Sequence, residues 1–98
     1  MDLGADGKLR LSAQRALLGA VTPGLRSFSL ELRSGVIHTL AVYADEPSEL
    51  ETDLIQSATT EIVADYVVET IAEQIVVSSQ LPPPRLANLV FERHEPQD

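Results

Sequence analysis

From Leu25 the chain alternates between apolar and polar positions. Phe28, Leu30 and Leu32 are separated by Ser27, Ser29, Glu31 and Arg33, the two-residue period of a strand with one buried face. Ser34 and Gly35 then supply a pair suited to a two-residue hairpin turn. Val36, His38, Leu40 and Val42 alternate with Ile37, Thr39, Ala41 and Tyr43. Both faces of this second run are largely apolar, which predicts a strand inside the sheet rather than at its edge. The pattern therefore gives a hairpin over 25–43.

On either side of the hairpin the period lengthens. Ser12 reads as the N-cap of a short helix through Ala13, Ala16, Leu17 and Ala20, closed by Gly19 and the turn-forming Thr22-Pro23-Gly24. After Ala44–Pro47, Ser48 and Glu51 have the spacing of a capping box. At 100° per residue, Leu54, Ile55, Ala58 and Ile62 fall within about a third of the circle, with Glu49, Thr52, Asp53, Gln56, Ser57 and Thr60 opposite. This is an amphipathic helix lying on a sheet, with Glu61 at the edge of its apolar arc. Asp65 would meet the negative end of the helix dipole, so the helix is expected to end near Ala64.

Residues 66–79 fit two templates. A helix would align Val68, Ile71, Ala72, Ile75 and Val76, while the many β-branched residues favour a strand, read here over 70–78. Pro82-Pro83-Pro84 marks an extended connector over 80–85, and Leu89–Arg93 reads as a short last strand. The organisation expected is an N-terminal tail over 1–8, a single small α+β domain over 9–93 and a C-terminal tail over 94–98. Its sheet is expected to be antiparallel, with the helices on one face.

Charge changes the picture more than composition does. Nine carboxylates and no lysine or arginine lie between Ser34 and Pro84, while all seven basic side chains fall outside that stretch. The net charge is −8. Such a chain favours a basic protein partner and disfavours nucleic acid and anionic membrane. Absence of cysteine excludes disulfides and thiolate-bound zinc and suits a reducing cytoplasm. Met1–Leu11 has no apolar run of a secretory signal, and no stretch approaches a membrane span. The reading is a soluble cytoplasmic protein.

Catalytic and cofactor chemistry finds no motif. His38 and His94 lack metal-ligand spacing, and His38 is expected as a half-buried strand residue. The five glycines form no phosphate-binding loop, and no serine sits in a nucleophile elbow. The acids from Asp45 to Asp53 lack the pattern of a calcium loop. The expectation is a protein without catalytic residues, metal or cofactor.

The stretch Arg10-Leu-Ser-Ala-Gln-Arg-Ala-Leu-Leu-Gly-Ala-Val21, the hairpin, and the Glu-rich helix ending Glu61-Ile-Val-Ala-Asp65 resemble small bacterial immunity proteins. These belong to contact-dependent growth inhibition and related polymorphic toxin systems, and the resemblance covers roughly residues 9–93. It implies the element order α-β-β-α-β-β, with 70–78 as strand. It also implies binding to a cognate toxin domain, often a nuclease, whose active site or substrate path is blocked. Combined with the charge pattern, the partner-binding candidates are Asp45, Glu46, Glu49, Asp53, Glu61, Asp65, Glu69 and Glu73, with Tyr43 and Tyr66 as aromatic anchors. The other reading open at this point is an acidic interaction module or subunit of a bacterial complex with no toxin partner.

Overall fold

A computed structural model describes residues 4–64 and 70–95. In chain order the elements are helix α1 (Gly4–Ala16), strands β1 (Leu25–Arg33) and β2 (Val36–Tyr43), helix α2 (Glu49–Ala64), and strands β3 (Thr70–Val77) and β4 (Asn88–Glu92). The strands form one four-stranded sheet in the spatial order β3-β2-β1-β4.

The hairpin forms where the alternation placed it. Phe28 faces Ala41, Leu30 faces Thr39 and Leu32 faces Ile37 across the β1–β2 ladder. Ser34 and Gly35 both take positive φ, 53° and 75°, as a type I′ turn requires. This turn's twist matches that of its strands, and glycine adopts the second position without strain. β2 lies between β1 and β3, as its two apolar faces require.

The sheet is mixed, not antiparallel. β3 runs parallel to β2, from Val36 opposite Thr70 to Tyr43 opposite Val77. The cause is α2, whose 16 residues span about 24 Å. A helix of that length carries the chain back to the end of the sheet where β2 began, so the next strand runs in the same direction. β4 pairs with β1 antiparallel and is interrupted by a bulge.

α2 opens on the reciprocal cap expected of it. The Glu51 amide donates to Ser48 Oγ at 3.1 Å, and the Ser48 amide donates to Glu51 Oε1 at 3.0 Å. α2 is helical through Ala64, the last residue described before 70. α1 differs from expectation at both ends: it is already helical at Gly4 rather than beginning at Ser12, and it stops at Ala16. Ser12 stands inside the buried stripe formed by Leu9, Ala13 and Ala16. Covering Leu9 needs a further helical turn ahead of Ser12, and that burial outweighs the capping preference of a serine.

Both helices pack on one face of the sheet. Leu9, Leu17, Leu25, Phe28, Leu30, Ile37, Tyr43, Ile55 and Ile62 form the centre of the core between the layers. The other face carries Ser27, Ser29, Leu40 and Val42, which are also buried. The connector from β3 to β4 crosses there, since those strands occupy opposite edges of the sheet. Its Leu86 amide donates to Ser29 Oγ at 2.8 Å and its Ala87 amide to Glu31 Oε1 at 3.1 Å. The proline-rich segment thus serves as a cover for the second face.

Candidate functional site

The start of α2 gathers four of the predicted carboxylates. Asp45 and Glu46 stand in the loop after β2, Glu49 opens the helix, and Asp53 follows one turn later; all four are exposed. Glu61 is also exposed, but lies about 18 Å farther along the helix axis than Glu49. It shares a shallow cleft with Ser12, Arg15 and Ala16 of α1. Glu73 is exposed on β3, the edge strand, opposite Thr39. Asp65, Tyr66 and Glu69 lie outside the described residues.

None of these six described carboxylates has an ion-pair partner among the described residues. The ion pairs there are Arg26–Glu95, Arg93–Glu95 and Arg33–Glu31. Asp45, Glu46, Glu49 and Asp53 thus gather at the start of α2, with Glu61 towards its other end and Glu73 on the edge strand.

Tyr43 does not fit the role of surface anchor. Its side chain is fully buried in the core, and its hydroxyl has no hydrogen-bond partner among the described residues. Burial, followed by the charges of Glu51 and Glu73, pushes its pKa up to about 12. Tyr43 closes β2 opposite Leu25, so its ring follows the inward face of the strand. Because the folded pKa exceeds the unfolded value, stability is full below about pH 10 and falls as pH rises from 10 towards 12. Tyr43→Phe should remove that alkaline loss and stabilise the domain by about 1 kcal/mol at neutral pH, since an unbonded buried hydroxyl is deleted. Thermal unfolding of both proteins across alkaline pH measures this, and a destabilised phenylalanine variant would contradict it.

Glu51, the acid omitted from the candidates, is committed internally. Thr22 Oγ1 donates to its Oε2 at 2.5 Å. That hydroxyl, followed by the Ser48 amide, holds the Glu51 carboxyl below its ordinary range. Gly24 leaves room for this carboxylate, since a Cβ there would sit 3.0 Å from Glu51 Oε2. The bond fastens the segment after α1 to the first turn of α2.

A second group of charges is at the start of β1. Arg26 is 4% exposed and grips Glu95 through Nε at 2.7 Å and Nη2 at 2.6 Å, while Nη1 donates to the Ser78 carbonyl at 2.5 Å. Arg93 donates to the Pro23 carbonyl at 2.6 Å and to Glu95 at 2.9 Å. Arg26 first, then Arg93, depresses the Glu95 carboxyl to about 2. These groups border a cleft of about 410 Å³ with Leu81 and His94. Each Arg26 nitrogen already has an acceptor within the protein, so the cluster acts as a clamp joining β1, the connector and the C-terminal segment.

His38 is half-buried opposite Glu31, as expected of a strand histidine. Among the described residues no three His, Asp or Glu side chains converge as a metal site. None of the helices there is long and apolar enough to cross a membrane. Sequence periodicity overlooked several exposed apolar side chains. Leu18 is 83% exposed, Leu50 66% and Val21 44%. A signal existed for two of them: adjacent Leu17 and Leu18 cannot both face the core, and Leu50 falls outside the apolar arc of α2.

No curated protein matches the chain. A family model described as MafI2 immunity protein matches residues 6–95. The match runs from α1 through the hairpin and the capped acidic helix to the clamp at Glu95, and the chain belongs to the MafI2 immunity protein family.

Proposed function

We propose that this chain neutralises a cognate toxin domain by tight one-to-one binding, and that the toxin is a nuclease with a cationic cleft. Membership of an immunity family supplies the toxin partner. The observation that carries the finer reading is the set of exposed carboxylates at the start of α2, Asp45, Glu46, Glu49 and Asp53, without ion-pair partners among the described residues. Clustered carboxylates present negative charge as a phosphate backbone does, and a nuclease cleft built for phosphates attracts them. Glu61 and Glu73 add to the field from outside that cluster. The chain performs no chemistry in this reading; it occupies the cleft in the cytoplasm before nucleic acid can.

Co-expression with a candidate cognate toxin domain tests the proposal. Growth should be restored, the two chains should co-purify as a one-to-one complex, and nucleic-acid degradation by the purified toxin should stop at equimolar immunity protein. Restored growth without a complex, or a complex in which degradation continues, counts against it.

A further inference from the structure

We propose that Leu18 and Leu50, with Val21, form the apolar centre of the toxin-docking surface, and that Glu49 and Asp53 form its acidic rim; this deepens the immunity reading and rests on it. Leu18 and Leu50 are the two most exposed of the large hydrophobic side chains among the described residues, at 83% and 66%. A single exposed leucine is ordinary on a protein surface, whereas apolar side chains meeting in one place and edged by charge mark an interface.

The fold sets them along one flank of α2. Ser12, Arg15 and Ala16 line a cleft with Glu61 and Ala64, while Thr22 bonds Glu51. The chain from α1 to β1 therefore runs antiparallel to α2, with residues 17–22 passing alongside it from the end at Glu61 and Ala64 back to its first turn at Glu51. Val21 precedes Thr22 and Leu50 precedes Glu51, so the Thr22–Glu51 bond holds these two side chains at one corner. On the helical wheel Leu50 lies on the flank of α2 shared with Leu54 and Glu61, the flank turned towards α1. Leu17 points into the core and leaves its neighbour Leu18 facing out. Asp53 stands directly opposite the buried stripe of Ile55, Ala58 and Ile62, on the outer surface of the same helical layer.

The chemistry of the occupant follows from this arrangement. An apolar centre within a charged rim has the anatomy of a protein–protein interface. Its complement is a protein surface offering apolar side chains ringed by lysine or arginine. A second copy of this chain is a poor occupant, because two-fold contact at this corner would oppose Glu49 and Asp53 to themselves on chains that each carry −8. An anionic membrane is repelled by the same carboxylates. Division of labour is expected: the carboxylates govern how fast the toxin arrives, and the leucines how long it stays.

The test immobilises the catalytically inactivated form of the toxin domain that the co-expression experiment identifies and passes over it the intact chain, Leu18→Ser, Leu50→Ser and Leu81→Ser. Leu81 is 54% exposed on the connector, in the cleft bordered by Arg26 and His94, and serves as the control. Leu18→Ser and Leu50→Ser should each raise the dissociation rate about 10-fold or more and change the association rate less than about 2-fold. Leu81→Ser should match the parent. Thermal unfolding of each variant should stay near that of the parent, since all three side chains are exposed. Dissociation within about 2-fold of the parent for both Leu18→Ser and Leu50→Ser, with the parent binding normally, overturns this inference and leaves the immunity reading standing. A parent chain that fails to bind the toxin defeats the immunity reading itself, and this inference with it. A free chain that sediments as a dimer and becomes monomeric on these two substitutions assigns the corner to self-association and overturns toxin docking there.

Discussion

Lysine at both Glu49 and Asp53 should slow capture of the toxin domain by about 10–100-fold at low salt, and the deficit should narrow as salt rises. Each substitution changes the charge by two units, so the pair moves the chain from −8 to −4. The change is concentrated where four exposed carboxylates stand near one another at the start of α2. Both side chains are exposed, and neither has an ion pair to lose among the described residues. The expected cost to folding is the loss of favourable charge at a helix N-terminus, about 0.3–1 kcal/mol per site. Glu49→Gln with Asp53→Asn should give an intermediate association rate, because charge is removed without being reversed. Stopped-flow association at several salt concentrations measures both series. Equal rates for parent and lysine variant at low salt would show that the carboxylates do not steer the encounter.

Phe28→Ala should cost about 3–5 kcal/mol of folding stability. Phe28 is 1% exposed at the middle of β1, flanked by Ala41 on β2 and Phe91 on β4. The alanine at position 41 cannot expand into the space, and the neighbouring strands are fixed by their ladders, so the cavity persists. A domain of this length has about 5–15 kcal/mol in total, and a loss of that size lowers the melting temperature by roughly 12 °C or more. Urea unfolding gives the direct measurement. Affinity per folded molecule should remain that of the parent, because Phe28 lies beneath the helical layer whose outer surface is the proposed docking face. Leu18→Ser supplies the contrast: stability within about 0.5 kcal/mol of the parent and a complex that falls apart quickly. A stability loss below about 1 kcal/mol for Phe28→Ala would mean that the core relaxes around the missing ring.

Local periodicity was enough for the hairpin and for α2. Ser34-Gly35 could turn only where glycine tolerates positive φ, and Ser48 and Glu51 had the spacing that satisfies two amides reciprocally. The strand over 70–77 agreed with β-branching rather than with the helical alignment of Ile71 and Ile75. α1 misled because Ser12 can cap a helix or sit inside one, and only Leu9 packed in the core distinguishes the two. Tyr43 misled because an aromatic beside acidic residues in sequence can point away from them in space.

The order of charges along the chain, the capped helix and the alternating hairpin were determined by the sequence alone, since each depends on neighbours within a few residues. Tertiary structure decided the rest: β3 parallel to β2, the connector laid over Ser29 and Glu31, Tyr43 turned inward, and Leu18 and Leu50 left in water. Those outcomes depend on which surfaces meet after the chain doubles back. One helix carries β3 to the far edge of the sheet, and one hydrogen bond from Thr22 to Glu51 fixes the corner; neither pairing has any signature in the spacing of residues.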